Sequence, residues 1–95
     1  MSTTRILKYP VKNNGMITSI ICHRYRLLDI QLQGDDLVCW IETRDNYPET
    51  TTKLISIGTG LEISTDLINS LSYFKTVQDA DGYVWHFYEV SNNEE

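Results

Sequence analysis

The chain has 95 residues, two cysteines and a formal charge of −5 from 8 basic and 13 acidic side chains. That length makes one domain, residues 1–95, which buries roughly 60–70% of its extended surface and has little volume for a deep private pocket. The acidic balance argues against non-specific nucleic-acid binding, and no apolar run approaches the ~20 residues that span a bilayer.

Met1 to Arg5 has no apolar segment behind it and does not read as a signal peptide. Arg5-Ile6-Leu7-Lys8-Tyr9 is a first strand that stops at Pro10, where the missing amide confines it to an edge or an end. Asn13-Asn14-Gly15 predicts a turn, and Met16 to Cys22, rich in β-branched residues, a second strand. His23-Arg24-Tyr25-Arg26 reads as a polar connection. Leu28 to Gln33 alternates with period two, so Leu28, Ile30 and Leu32 are expected on one face.

Gly34-Asp35-Asp36 turns the chain back into Leu37 to Glu42, and a polar loop spans Arg44 to Thr50. A fifth strand, Thr51 to Ile57, ends in Gly58-Thr59-Gly60. The one candidate helix is a short turn capped by Ser64 or Thr65 and carrying Asp66, Leu67, Ile68 and Leu71, centred near 65–70. The last hairpin pairs Leu71–Gln78 with Tyr83–Val90 around Asp79-Ala80-Asp81-Gly82. Tyr83 to Val90 is the densest aromatic run in the chain, with large apolar groups at both parities. It is therefore expected in the middle of a sheet or at a subunit interface. Ser91 to Glu95 reads as a frayed acidic tail. Seven mostly antiparallel strands define an all-β or β-rich α+β domain, a small sandwich or open barrel.

Several groupings have both a chemical and a packing reading. Gly58-Thr59-Gly60 is either a plain turn or a loop whose amides face an anion, although it lacks phosphate-loop and dinucleotide-fold spacing. Lys8, Tyr9, Arg24, Arg26, Trp40 and Trp85 supply aromatic faces and cations of the kind that hold a nucleotide. The tryptophans equally suit a core, and the arginines a solvated connection. His86 is either a hydrogen-bonded structural imidazole or a ligand contact. A Cys39–His86 nucleophilic pair has no third orienting group in view. Adjacent Cys22 and His23 would point to opposite faces of a strand, which works against a zinc site. Asp79-Ala80-Asp81-Gly82 brings its glycine too early for a calcium loop. Cys22 and Cys39 sit in apolar strand-like runs and read as reduced, buried thiols.

Segments along nearly the whole chain resemble a family of short bacteriophage and prophage proteins of uncharacterised activity. They are Ile6-Leu7-Lys8-Tyr9-Pro10, Leu28 to Gly34, Val38-Cys39-Trp40-Ile41, Ile57-Gly58-Thr59-Gly60, Tyr73 to Gln78 and Val84 to Glu89. The loop before Thr51 and the segment Leu61 to Ser70 depart from it. The resemblance implies a phage accessory protein in the cytoplasm of an infected bacterium. Such proteins include oligomeric sponges that sequester cyclic-nucleotide immune signals, including cyclic ADP-ribose-type molecules, without cleaving them.

The expectation is thus a homo-oligomer with no cofactor and no catalytic group. Its ligand residues would be Lys8, Tyr9, Arg24, Arg26, Trp40, Gly58, Thr59, Gly60, Trp85 and His86. The alternatives are an inhibitor that docks on a host enzyme through an acidic surface and a structural component of the virion.

Overall fold

The computed structural model describes residues 1–91. Seven strands follow one another: β1 (Thr4–Pro10), β2 (Ile17–Cys22), β3 (Arg24–Gln33), β4 (Asp36–Arg44), β5 (Thr50–Gly58), β6 (Leu71–Gln78) and β7 (Val84–Val90). A single helix, α1 (Thr65–Asn69), lies between β5 and β6. The strands form two antiparallel sheets, sheet A in the order β1-β4-β3 and sheet B in the order β2-β5-β7-β6. This is the all-β architecture with one short helical turn that the sequence predicts.

Each sheet arises from period-two burial. In β2, Thr18, Ile20 and Cys22 are buried while Ile17, Ser19 and Ile21 face out. In β5, Thr52, Leu54 and Ser56 are buried in the same way. The inner faces meet in one core, with Leu27, Ile30, Leu37, Cys39 and Ile41 from sheet A against Ile20, Cys22, Leu54 and Phe87 from sheet B. The Cα envelope is 48 × 38 × 15 Å, the thickness of two sheets and no third layer. Buried hydroxyls fasten the turns: Thr18 Oγ1 accepts from the Lys12 amide at 2.8 Å, and Ser56 Oγ from the Gly15 amide at 3.0 Å. Gly15 sits at φ +83°, where a side chain would be strained, so the Asn13-Asn14-Gly15 turn depends on it. Both cysteines are free and buried, and burial pushes the Cys39 thiol up to about 11.

Three expectations are corrected. The connection after β2 is His23 alone, because Arg24, Tyr25 and Arg26 belong to β3. The irregularity that suggested a loop is a pair of register shifts, one between Arg24 and Arg26 and one between Leu27 and Asp29. The second shift moves the buried position from Leu28 to Leu27, so Leu27 and Ile30 enter the core while Leu28 is only half-buried. Leu71 opens β6 instead of closing the helix, whose cap is Ser64 accepting from the Leu67 amide at 3.1 Å. Beyond Ser91, the expected acidic tail lies outside the described residues.

The sheets are also tied at their margins. Arg24, on the inner side of sheet A, donates to both carboxylate oxygens of Glu89 on β7 and to Thr52 Oγ1 on β5. Lys75 of β6 pairs with Asp29 of β3 at 2.6 Å, bridging the two edges where those strands lie. These ties fix how the sheets stack, and therefore what each outer face presents.

Candidate functional site

Two segments that sequence reasoning marked separately come together at one end of sheet B. β5 and β7 pair so that Gly58 lies opposite Trp85 and Ile57 opposite His86. Beyond the strand, the Thr59 amide donates to the Val84 carbonyl at 3.2 Å, and the Leu61 amide to the Gly58 carbonyl at 3.3 Å. Gly58 to Leu61 is therefore a closed turn, with Gly60 at φ +89°. Gly58 is small because of close approach and not because of its backbone conformation. A side-chain carbon there would meet Leu61 Cδ1 at 3.3 Å and the Trp85 ring at 3.4 Å. Gly58, Thr59, Leu61, Tyr83, Val84 and Trp85 line a cleft of about 330 Å³.

Asp79 anchors this end. Its carboxylate accepts from Trp85 Nε1, the amides of Asp81 and Tyr83, and Asn13 Nδ2, all between 2.9 and 3.0 Å. These donors, the Trp85 indole foremost, hold its carboxyl below the usual range. The Asp79-Ala80-Asp81-Gly82 turn is thus a bracket that orients the Trp85 ring.

On the outer side, His86 sits in a chain of hydroxyls. Nε2 lies 2.8 Å from Thr59 Oγ1, and Nδ1 lies 3.0 Å from Thr76 Oγ1, which in turn is 2.7 Å from the Tyr73 hydroxyl. Thr59 Oγ1 also reaches the Val84 carbonyl at 3.3 Å. Each hydroxyl and each ring nitrogen here can donate or accept, so the chain is complete in either direction and both imidazole nitrogens are engaged by threonine hydroxyls.

The remaining candidates lie elsewhere. Lys8 and Trp40 are cross-strand neighbours on the outer face of sheet A, with Lys8 Nζ donating to Gln33. Arg26, on the same face, pairs with Glu42 at 3.2 Å. Arg24 is taken up in the inter-sheet tie to Glu89. Tyr9 is half-buried against the core and edges a larger groove, about 570 Å³, between the end of β1 and β2. Gly58, Thr59, Gly60, Trp85 and His86 therefore form one cluster, Lys8, Arg26 and Trp40 another, and Arg24 and Tyr9 neither. None of the cleft-lining residues is a cation.

Sequence reasoning missed Asp79 as a bracket, Thr76 and Tyr73 as partners of His86, and Leu61 and Val84 as cleft walls. Thr76 was accessible in principle, since register counted outward from the last turn places it opposite His86.

The fold and site define a small two-sheet β domain with an aromatic cleft at one end and a hydroxyl–imidazole chain beside it. The chain belongs to the family described as a domain of unknown function, DUF7352, which it matches over residues 2–95. No curated protein and no solved structure matches it. No helix among the described residues is long and apolar enough to cross a membrane.

Proposed function

We propose that the protein is a non-enzymatic binding protein that holds a planar nucleotide-class ligand in the cleft between Gly58-Thr59 and Trp85. Its particular form is a phage protein that sequesters a cyclic-nucleotide immune signal. The observation that carries the reading is the convergence of Gly58, Thr59, Trp85 and His86 on one end of β5 and β7. Tyr83, with 67% of its surface exposed, and the Trp85 ring offer faces to a base. Thr59 lines the cleft and links it to His86, its hydrogen-bond partner on the outer side of the sheet.

The surroundings of His86 support binding over catalysis. Both of its ring nitrogens are engaged by threonine hydroxyls, and among the described residues no carboxylate touches either one to orient it as a base. The want of a cation at the cleft narrows the proposal, because phosphate charge has to be met by a second copy of the chain.

A thermal-shift series against cyclic di- and trinucleotides and cyclic ADP-ribose isomers tests this. Ligand at ~100 times its Kd adds about 2.7 kcal/mol, which raises the melting point of a domain this size by many degrees. The expected result is a shift with one ligand class, recovery of that ligand intact, and loss of the shift in Tyr83→Ala. A flat series, or recovery of a cleaved product, overturns the proposal.

A further inference from the structure

The outer face of sheet B has an unusual composition. Its outward residues are Ile17, Ser19 and Ile21 of β2, Thr51, Lys53, Ile55 and Ile57 of β5, Val84, His86, Tyr88 and Val90 of β7, and Leu71, Tyr73, Thr76 and Gln78 of β6. Lys53 is the only Lys, Arg, Asp or Glu among them, and it makes no hydrogen bond or ion pair with the described residues. One row crosses all four strands as Ile17, Ile55, Tyr88 and Tyr73, with the two tyrosine rings 5.5 Å apart edge to face. Among the described residues the helix does not cover this face, since α1 buries none of its five residues.

We propose that this face is the interface between two copies of the chain, packed sheet to sheet. Three from β2 and four from each of the other strands give fifteen outward residues. Standard interfaces use roughly 20–30 a side, so the face with its rim suits a reversible dimer with Kd in the micromolar range. A second copy brings the same nearly uncharged surface, whereas a partner chosen by charge would find a single lysine to read.

Lys53 also selects the symmetry. β5 is an inner strand, so a two-fold axis along the strands would set the two Lys53 side chains roughly one strand spacing, ~5 Å, apart. An axis across the strands, through the Ile17–Ile55–Tyr88–Tyr73 row, separates them. It lays the second copy's Lys53 over Ile57 beside His86, because Lys53 and Ile57 stand one row either side of Ile55. In that arrangement each copy receives a cation beside His86, the partner of the cleft-lining Thr59, and its use toward a ligand rests on the ligand reading above. The dimer itself does not.

Sedimentation velocity of the ligand-free protein through the micromolar range tests it, with Ile17→Glu, Ser19→Glu and the sheet A control Lys8→Glu. Ser19 is exposed and outside the core, so Ser19→Glu reports on the face without a folding penalty. The expected result is a concentration-dependent dimer, retained in Lys8→Glu and weakened at least ~10-fold, about 1.4 kcal/mol, in both face variants. A wild-type monomer throughout, a dimer indifferent to Ser19→Glu, or a monomer that floats with phosphatidylglycerol vesicles overturns it. Because no nucleotide is present, failure here leaves the ligand reading to its own test.

Discussion

The two outer faces of this sandwich are made by the same alternation and could hardly differ more. On sheet A, Lys8 reaches Gln33, Arg26 and Arg44 converge on Glu42 at 3.2 and 2.9 Å, and Asp29 is held by Lys75. Arg44 also lies over the Tyr25 ring, 3.5 Å from its centroid. Most of the charges on the outer face of sheet A are thus answered within the chain. Sheet B presents isoleucines, tyrosines and one lysine whose ammonium has no partner among the described residues. A face of paired charges and the face proposed to take a second copy have the same backbone, so only the outward residue of each pair distinguishes them. The cleft lies at one end of sheet B, and the hydroxyl chain runs across the outer face of the same sheet.

The largest effect belongs to the core that both sheets share, and it calibrates the others. Phe87 is fully buried between Leu54 and the sheet A residues Ile30 and Ile41. Phe87→Ala should destabilise by about 3–5 kcal/mol in urea unfolding, with both sheets lost in one transition. A loss under ~1 kcal/mol, or two separate transitions, would mean that the inner faces do not form one core.

The next effect sharpens the difference at the ends of the sheets. Asp79 gathers four donors with its carboxyl held below the ordinary range, so it favours folding above the unfolded value of about 3.9. That contribution disappears as pH falls through the depressed folded value. Asp79→Asn should lower the melting temperature at neutral pH and flatten its fall in acid, because an amide has one oxygen and must leave either Trp85 and Asn13, which share Oδ2, or the Asp81 and Tyr83 amides, which share Oδ1, without an acceptor. It should also change Trp85 fluorescence. An unchanged acid profile would show that another carboxylate governs it.

What the sequence disclosed follows the same division. Alternation in Met16–Cys22 and Thr51–Ile57, the Asn13-Asn14-Gly15 and Asp79–Gly82 turns, and the Ser64 cap are local signals, and each lies where it was expected. The strand-like run at Tyr83–Val90 is a central strand because both of its parities are needed, one for the core and one for the sheet B face. Bulges are not visible in composition, so Tyr25 and Leu28 broke the count and Leu27 took the core place assigned to Leu28. Which sheet a strand joins is set by pairings distant in sequence. That is why Arg24 could be grouped with Arg26 when one bridges the sheets and the other lies on a surface. The site was legible to the extent that Gly58-Thr59 and Trp85-His86 flank paired strands, and illegible wherever it depended on stacking.

The smallest effect is the one that most directly separates the faces. Glu42 is placed between Arg26 and Arg44, and the Arg44 guanidinium, ahead of Arg26, holds its carboxyl below the usual range. Exposed pairs of this kind contribute little, because water and salt screen them and two long side chains must be held still. Glu42→Gln should therefore shift the melting temperature only slightly at low salt and not measurably at high salt. It should leave the oligomeric state untouched, whereas a substitution on the outer face of sheet B should weaken the proposed association, with any change in melting temperature depending on protein concentration. Were Glu42→Gln to dissociate the dimer, the charged face would be the interface, and the contrast between the two sheets would have to be read the other way round.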